Sequence, residues 1–329
     1  MKENWERSNE LILLSENEVT EMIKPFLNGR VIKEVKTLSG GLNNSNLKII
    51  TNLNETYVLR LYARDDIKGK VEKRIYERLA DQLPVPKVLY ADFSCEKCKT
   101  PFMIINWIQG IQLKEFMTNY ESASSIEKIA RQIGKYLAKL HTYQFEKGGF
   151  FDENLIISEM FEINSESFLK FIKESTIEGN AKKWLGDKFT NDIWNFVNEF
   201  SYLMDDIGHQ TSLIHSDFNP LNILVDMNQQ EANISAILDW EYSFSGTPLA
   251  DVGNMLRYEN TSSLFSKSFI SAYKENGGVL PDDWLKKAKL LEIIGLSDLL
   301  NKKECNPNRI KDIKRLIQST MNQWNNYTY

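Results

Sequence analysis

Between Arg30 and Trp107 the chain carries five short runs rich in Val, Ile and Tyr: VIKEVKTL, NLKII, TYVLRLYA, KVLYADF and PFMIINW. Runs of this length and composition predict β-strands. One helical stretch interrupts them, IKGKVEKRIYERLADQL, with Val71, Ile75, Leu79 and Leu83 at four-residue steps and Pro84 closing it. The expected order is strand, strand, strand, helix, strand, strand, which suggests an antiparallel sheet carrying one helix. That order constrains the fold more than composition does.

After Gly110 the pattern turns helical. SIEKIARQIGKYLAKLHTY places Ile126, Ile129, Ile133, Leu137 and Leu140 on one face. The long, charged and aromatic-rich region from Asp152 to Gly208 reads as several helices. A small β-like island follows, LIHSDF, NILVDM and ISAILDW, and helices then resume to the end. The chain therefore reads as α+β, a sheet-rich lobe joined to a larger helical lobe. Its 329 residues, 42% of them hydrophobic, can bury a sizeable core as one large domain or two smaller ones.

Charge narrows the partners. The balance of 40 Lys and Arg against 45 Asp and Glu gives a net charge of −5, with no polybasic block to favour nucleic acid or an anionic membrane. The start, MKENWERSNE, lacks an apolar stretch of signal-peptide length and no run is long enough to span a membrane, so a cytoplasmic location is expected. Cys95 and Cys98 form a lone C-x-x-C with only Cys305 elsewhere. Zinc would need a second ligand pair, so an exposed hairpin with free thiols is expected and no function is assigned to it.

The segment LIHSDFNPLNILVD, residues 213 to 226, brackets His215, Asp217, Asn219 and Asn222 between apolar runs. Buried polar groups are costly unless paired, so this clustering suggests a loop held at the edge of a core. Asp239 ends the next apolar run, ISAILDW. A hairpin through MNQQEAN would bring Asn222 near Asp239 and turn three oxygen-bearing side chains toward one cleft. Few, hard oxygen ligands suit Mg²⁺ shared with a polyphosphate better than zinc. A polar turn between two core strands would account for the Asx residues alone but for neither Asp239 nor the upstream order.

This constellation resembles the catalytic loop of the kinase superfamily, and more narrowly that of the aminoglycoside phosphotransferase and choline kinase-like family. The family's H-G-D-x-x-x-x-N corresponds to HSDFNPLN, with Ser216 where Gly is usual, and its D-x-D/E to Asp239-Trp240-Glu241. Similar features run from SGGLNNSN to DVGNMLR. The resemblance implies a bilobal protein kinase-like fold, with residues 1–106 as the nucleotide-binding lobe and 107–329 as the helical lobe carrying the catalytic loop and substrate site. It implies Asp217 as catalytic base, Asn222 and Asp239 as magnesium ligands, and His215 as a structural residue that orients the loop. At the nucleotide end it implies Gly40 and Gly41 in a hairpin that approaches the phosphates. Arg60 stands where a kinase has its phosphate-binding Lys, with Glu72 as ion-pair partner. The carbonyl of Asn106 and the amide of Ile108 would meet the adenine edge, although by composition PFMIINW is simply a buried strand. His141 also matches the family pattern, yet packing near a helix C-terminus explains it as well.

Only WEYSFSG separates Asp239 from Thr247-Pro248, which leaves no room for a peptide platform. The activity implied is transfer of the γ-phosphoryl group of ATP or GTP to a hydroxyl of a small molecule, an aminoglycoside-like or other antibiotic. Choline, homoserine and methylthioribose are alternative acceptors, and a nucleotide-binding pseudokinase or an enzyme modifying protein side chains are alternative roles. Acidic residues such as Glu241, Glu259, Asp282 and Asp283 could attract a cationic acceptor, though helix capping explains the last two.

Overall fold

A computed structural model of the chain describes residue 2 and residues 5–38, 41–63, 66–96, 99–119, 122–207, 210–228 and 231–328. Gly40 and Cys98 lie outside the described residues, while Cys95 is exposed and not in a disulfide. The first element, α1 (Glu16–Leu27), is unforeseen above, although its capping box between Ser15 and Glu18 is a local signal. Five strands follow as anticipated: β1 (Ile32–Thr37), β2 (Ser45–Thr51), β3 (Thr56–Leu61), β4 (Val88–Asp92) and β5 (Phe102–Asn106), with α2 (Asp66–Leu79) after the third. They form one antiparallel sheet in the order β1-β2-β3-β5-β4.

Strand alternation sends neighbouring side chains to opposite faces. Leu47, Ile49, Leu59, Leu61, Phe102 and Ile104 pack with α1 in one small core. Val58, Tyr62, Met103 and Ile105 pack instead with α2 and the rest of the molecule. Arg60 lies between Leu59 and Leu61 and so shares the face of Val58 and Tyr62, toward the larger core.

The remainder begins with β6 (Ile111–Gln112), α3 (Leu113–Asn119) and α4 (Ala123–Leu140). The region read as helices from Asp152 holds a strand as well. β7 (Gly149–Phe151) and β8 (Ile157–Met160) precede α5 (Ser165–Ile172), α6 (Ala181–Leu185) and α7 (Asp187–Phe200). These two strands are too short to show an alternating pattern; they pair with each other, and the sheet β8-β7-β12-β9 is completed by β12 from distant chain. The island is β9 (Ser212–Ile214), β10 (Ile223–Asn228) and β11 (Glu231–Ile237), followed by β12 (Phe244–Gly246) and α8 (Leu249–Met255). Then come α9 (Leu264–Glu275), α10 (Trp284–Leu300) and α11 (Pro307–Asn322). Gly134 lets α4 lie directly on α9, since a side chain there would run into the Phe269 carbonyl. No helix among the described residues is long and apolar enough to cross a membrane.

Candidate active site

The segment between β9 and β10 is held from beneath by Asp251 on α8. Its carboxylate is fully buried and accepts the backbone N–H of His215 and of Ser216, each at 2.8 Å. Asn254, one turn on, donates to the Ser216 carbonyl at 3.1 Å. These bonds hold Ser216 at φ +72°, the left-handed region that a glycine would enter freely, so its side chain is carried at a cost of roughly 1–2 kcal/mol. Asp239 sits at φ +71°. His141 is not plain packing: its ring bonds the Tyr273 hydroxyl at 2.8 Å and lies 3.4 Å from Asp251. It therefore supports the carboxylate that supports the loop.

His215 is fully buried against Trp240, with ring centroids 4.4 Å apart. Its Nε2 bonds the Leu238 carbonyl at 2.8 Å and its Nδ1 accepts the Asp217 N–H at 3.2 Å, a pattern that places the proton on Nε2. One ring thus ties the loop bearing Asp217 to the end of the hairpin bearing Asp239. The hairpin forms as anticipated, with β10 and β11 antiparallel and the Leu238 N–H bonded to the Asn222 carbonyl at 2.8 Å.

Asp217, Asn222 and Asp239 line one cavity of about 530 Å³. The Asp217 carboxylate accepts Asn219 Nδ2 at 2.7 Å, Asn222 Nδ2 at 2.9 Å and Lys2 Nζ at 2.8 Å. Burial pushes this carboxyl up, but Lys2, Arg257 and His215 outweigh that and hold it below the ordinary aspartate value. At neutral pH Asp217 is therefore a carboxylate.

Arg60 meets three carboxylates. Its Nε is 2.8 Å from Glu72, it forms an ion pair with Asp239, and Glu241 lies 3.9 Å away. Burial disfavours its charge, but these neighbours, Glu72 and Asp239 first, raise its pKa well above the usual value. Glu72 is fully buried and also accepts Tyr62 Oη at 2.5 Å, Tyr76 Oη at 3.0 Å and the Trp240 N–H at 3.1 Å. The sheet lobe is thereby bonded to the Asp-Trp-Glu segment.

The β1–β2 loop meets that segment through Glu241. Asn44 Nδ2 donates to it at 2.8 Å and Asn43 Nδ2 at 3.3 Å, two residues of LNNSN whose role has no local signal in the sequence. Gly41 borders the same loop. Asn106 ends β5 with its side chain accepting the Lys87 N–H at 2.6 Å, and Ile108 lies in the link to β6; neither borders the cavity around Asp217. Of the other acidic candidates, Glu259, between α8 and α9, accepts the hydroxyl of Ser263 at 3.3 Å, and Asp283 precedes α10.

Burial and then Asp239 push the Glu241 carboxyl from 4.5 up to about 7, Arg60 partly offsetting them. The folded state therefore holds a proton that the unfolded chain has released, so the associated stability is present below pH 4.5 and lost as pH rises through about 7. Glu241→Gln is expected to raise the melting temperature of the nucleotide-free protein at pH 8, by a stability gain on the order of 2 kcal/mol, and to change it little at pH 5. Equal shifts at both pH values would contradict this.

A two-lobed molecule whose sheet bears a buried Arg–Glu pair, facing a loop that gathers Asp217, Asn222 and Asp239, is a phosphotransferase of protein kinase-like fold. The chain belongs to the phosphotransferase enzyme family, whose model matches residues 34–288. Solved structures share the fold. Aminoglycoside phosphotransferase APH(4)-Ia is 15% identical with a TM-score of 0.69, covering 94% of this chain and 99% of its own. A GDP complex of an aminoglycoside 2'-phosphotransferase-IIIa mutant is 18% identical with a TM-score of 0.71, covering 95% and 100%. A crystal structure titled as a putative aminoglycoside phosphotransferase from Ralstonia eutropha is 17% identical with a TM-score of 0.63, covering 95% and 98%. No curated protein sequence matches the chain.

Proposed function

We propose that this protein moves the γ-phosphoryl group of ATP or GTP to a hydroxyl of a small molecule, an aminoglycoside-like or other antibiotic, and so confers resistance in the cytoplasm. The observation that carries this reading is the convergence of Asp217, Asn222 and Asp239 on one cavity beside Arg60. Similar structures support it: one is titled as a ternary complex of AMP-PNP and hygromycin B, another as one of streptomycin and ATP. Residues 1–106 would serve as the nucleotide lobe and 107–329 as the acceptor lobe. Asn106 and Ile108 would meet the base, and Gly40, Gly41 and the following loop the phosphates.

The donor set fits magnesium. Asn222 uses its amide nitrogen on Asp217 and keeps its Oδ1 for a cation, while the Asp239 side chain remains 30% exposed beside Arg60. No three His, Cys, Asp or Glu side chains cluster as a metal site among the described residues. A cation here would thus complete its shell with nucleotide phosphates and water, as Mg²⁺ does and structural zinc does not. Asn222 and Asp239 would hold the ion, which when bound supplies neutralisation of phosphate charge.

The remaining work falls to the chain. Asn219 and Asn222 fix the Asp217 carboxylate by hydrogen bonds from both sides. Asp217 orients the acceptor hydroxyl in line with the transferring group and takes its proton. Arg60 answers the charge on the phosphates, with Glu72 holding its guanidinium in place. Glu241, if it also meets a cationic acceptor, does so from beneath the phosphate loop.

The test is release of ADP or GDP from the magnesium nucleotide in the presence of aminoglycosides, macrolides, cyclic peptide antibiotics, choline, homoserine or methylthioribose. Release dependent on one acceptor names the substrate class. Nucleotide binding with no release for any of them would favour the pseudokinase role. Separately, Asp239→Ala is expected to abolish magnesium-dependent nucleotide binding in titration calorimetry. Binding of equal strength with and without Mg²⁺ in both proteins would count against the assigned role.

A further inference from the structure

Residues 5–9 cross the cleft, and Lys2 lies in it. On one side, Trp5 is buried beneath Arg309 of α11, whose guanidinium is 5.1 Å from the ring centroid. Arg309 also donates to the Glu6 carbonyl at 2.9 Å and pairs with the Glu6 carboxylate at 3.2 Å. Lys302, just beyond α10, donates to Ser8 Oγ at 2.8 Å. On the other side, the Ser8 N–H donates to the Leu42 carbonyl at 2.7 Å, Arg7 donates to the Gly41 and Asn44 carbonyls, and Asn9 donates to Asn43 Oδ1 at 2.6 Å. The segment is thus bonded both to the phosphate loop and to the C-terminal helices.

At its head, Lys2 Nζ lies 2.8 and 3.1 Å from the two oxygens of Asp217. Each of those oxygens already accepts one side-chain amide, from Asn219 or Asn222. A carboxylate oxygen has about two lone-pair sites, so with Lys2 in place none is left for an acceptor hydroxyl. Lys2, Trp5 and Ser8 line the same cavity as Asp217 and Asn254. Among the buried polar atoms of that cavity's lining residues without a hydrogen-bond partner among the described residues are Trp5 Nε1 and Asn254 Oδ1, beside two nitrogens of Arg309, which is ion-paired with Glu6. An unmatched donor and an unmatched acceptor are costly to bury and mark a place where a polar ligand would bind.

We infer that the N-terminal segment is part of the acceptor site: residues 5–9 wall it and help set its specificity, and Lys2 is a resident occupant of Asp217 that an incoming hydroxyl displaces. This rests on the assignment of Asp217 to phosphoryl transfer. Water is then a poor acceptor while Lys2 is seated, and a molecule that bonds Trp5 and Asn254 gains the contacts that offset its removal.

Two measurements on the full-length chain test this. In a brief acetic anhydride pulse read by peptide mass spectrometry, Lys2 is expected to label about fivefold more slowly than Lys24, whose side chain is 70% exposed, and to lose that protection in Asp217→Asn. In the second, hydrolysis of MgATP and MgGTP without any acceptor is expected to rise about fivefold in Lys2→Met and to vanish in Lys2→Met combined with Asp217→Asn. Labelling of Lys2 as fast as Lys24, or a Lys2→Met hydrolysis rate no higher than that of the unaltered protein, overturns this inference alone. Nucleotide turnover undetectable in every protein, with every acceptor tried, overturns it together with the phosphotransfer reading.

Discussion

Asp217→Ala is expected to lower acceptor-dependent nucleotide turnover by about 10³-fold while leaving nucleotide affinity nearly unchanged. The separation follows from where the carboxylate is bonded. Its side-chain partners are Asn219, Asn222 and Lys2, of which Asn222 spends only its Nδ2 here and keeps Oδ1 for the magnesium, and Arg60, the cation placed for the phosphates, bonds Glu72 and Asp239 instead. Removing Asp217 takes away the group that orients the hydroxyl and receives its proton, but no contact assigned to the nucleotide. The low pKa of Asp217 adds a further expectation: from pH 6 to 9 turnover should not show an acid limb belonging to this group. Turnover within tenfold of the unaltered protein, measured with the responsive acceptor, would remove Asp217 from the role of base. A parallel loss of nucleotide binding in calorimetry would mean that it acts on the donor.

The second large effect is on stability. Glu72→Ala is expected to destabilise the protein by about 3–5 kcal/mol, because it leaves the buried Arg60 without its one fully buried counter-charge. Two tyrosine hydroxyls and the Trp240 N–H lose their acceptor in the same step. For a chain of 329 residues, an unfolding entropy of about 2.1 cal/mol/K per residue makes each kcal/mol about 1.4 °C, so a fall in melting temperature of about 4–7 °C is anticipated. Glu72→Gln keeps some of the hydrogen bonds and should lose less. Arg60→Met added to Glu72→Ala should recover part of the loss, since the buried cation then left with only Asp239 and Glu241 is gone. A melting temperature within about 3 °C of the unaltered protein would show that water reaches Arg60 and that the pair is no keystone. The same network carries the site, because Arg60 also bonds Asp239 and Glu72 also bonds the Trp240 backbone.

The strands of the first lobe were legible because each is long enough for its own composition to mark it, and α2 because its apolar residues recur at helical steps. The loop of Asp217 was legible because its polar residues sit at fixed local spacing between two apolar strands. Even the left-handed Ser216 had a trace, as a non-glycine residue in a position that favours glycine. β7 and β8 were not legible. Three or four residues hold too little pattern, and what joins their short hairpin to a sheet is β12, which pairs with β7 and arrives about ninety residues later.

By itself the sequence determined the order of the first sheet's strands and of α2, and the local grouping of the residues proposed to carry the chemistry, since both are written in short-range spacing. Tertiary structure alone decided what holds and covers those residues. Asp251 gathers two backbone N–H groups from 36 and 35 residues away, Asn44 reaches Glu241 across 197 residues, and Lys2 reaches Asp217 across 215. A hydrogen bond between such distant residues leaves no local period or propensity behind, because each partner is chosen by the packing of the elements that bring them together. A lysine next to the first methionine has no signature as an active-site residue; its place on the carboxylate comes from Trp5 being buried under Arg309 and from Arg7 and Ser8 being bonded to the phosphate loop.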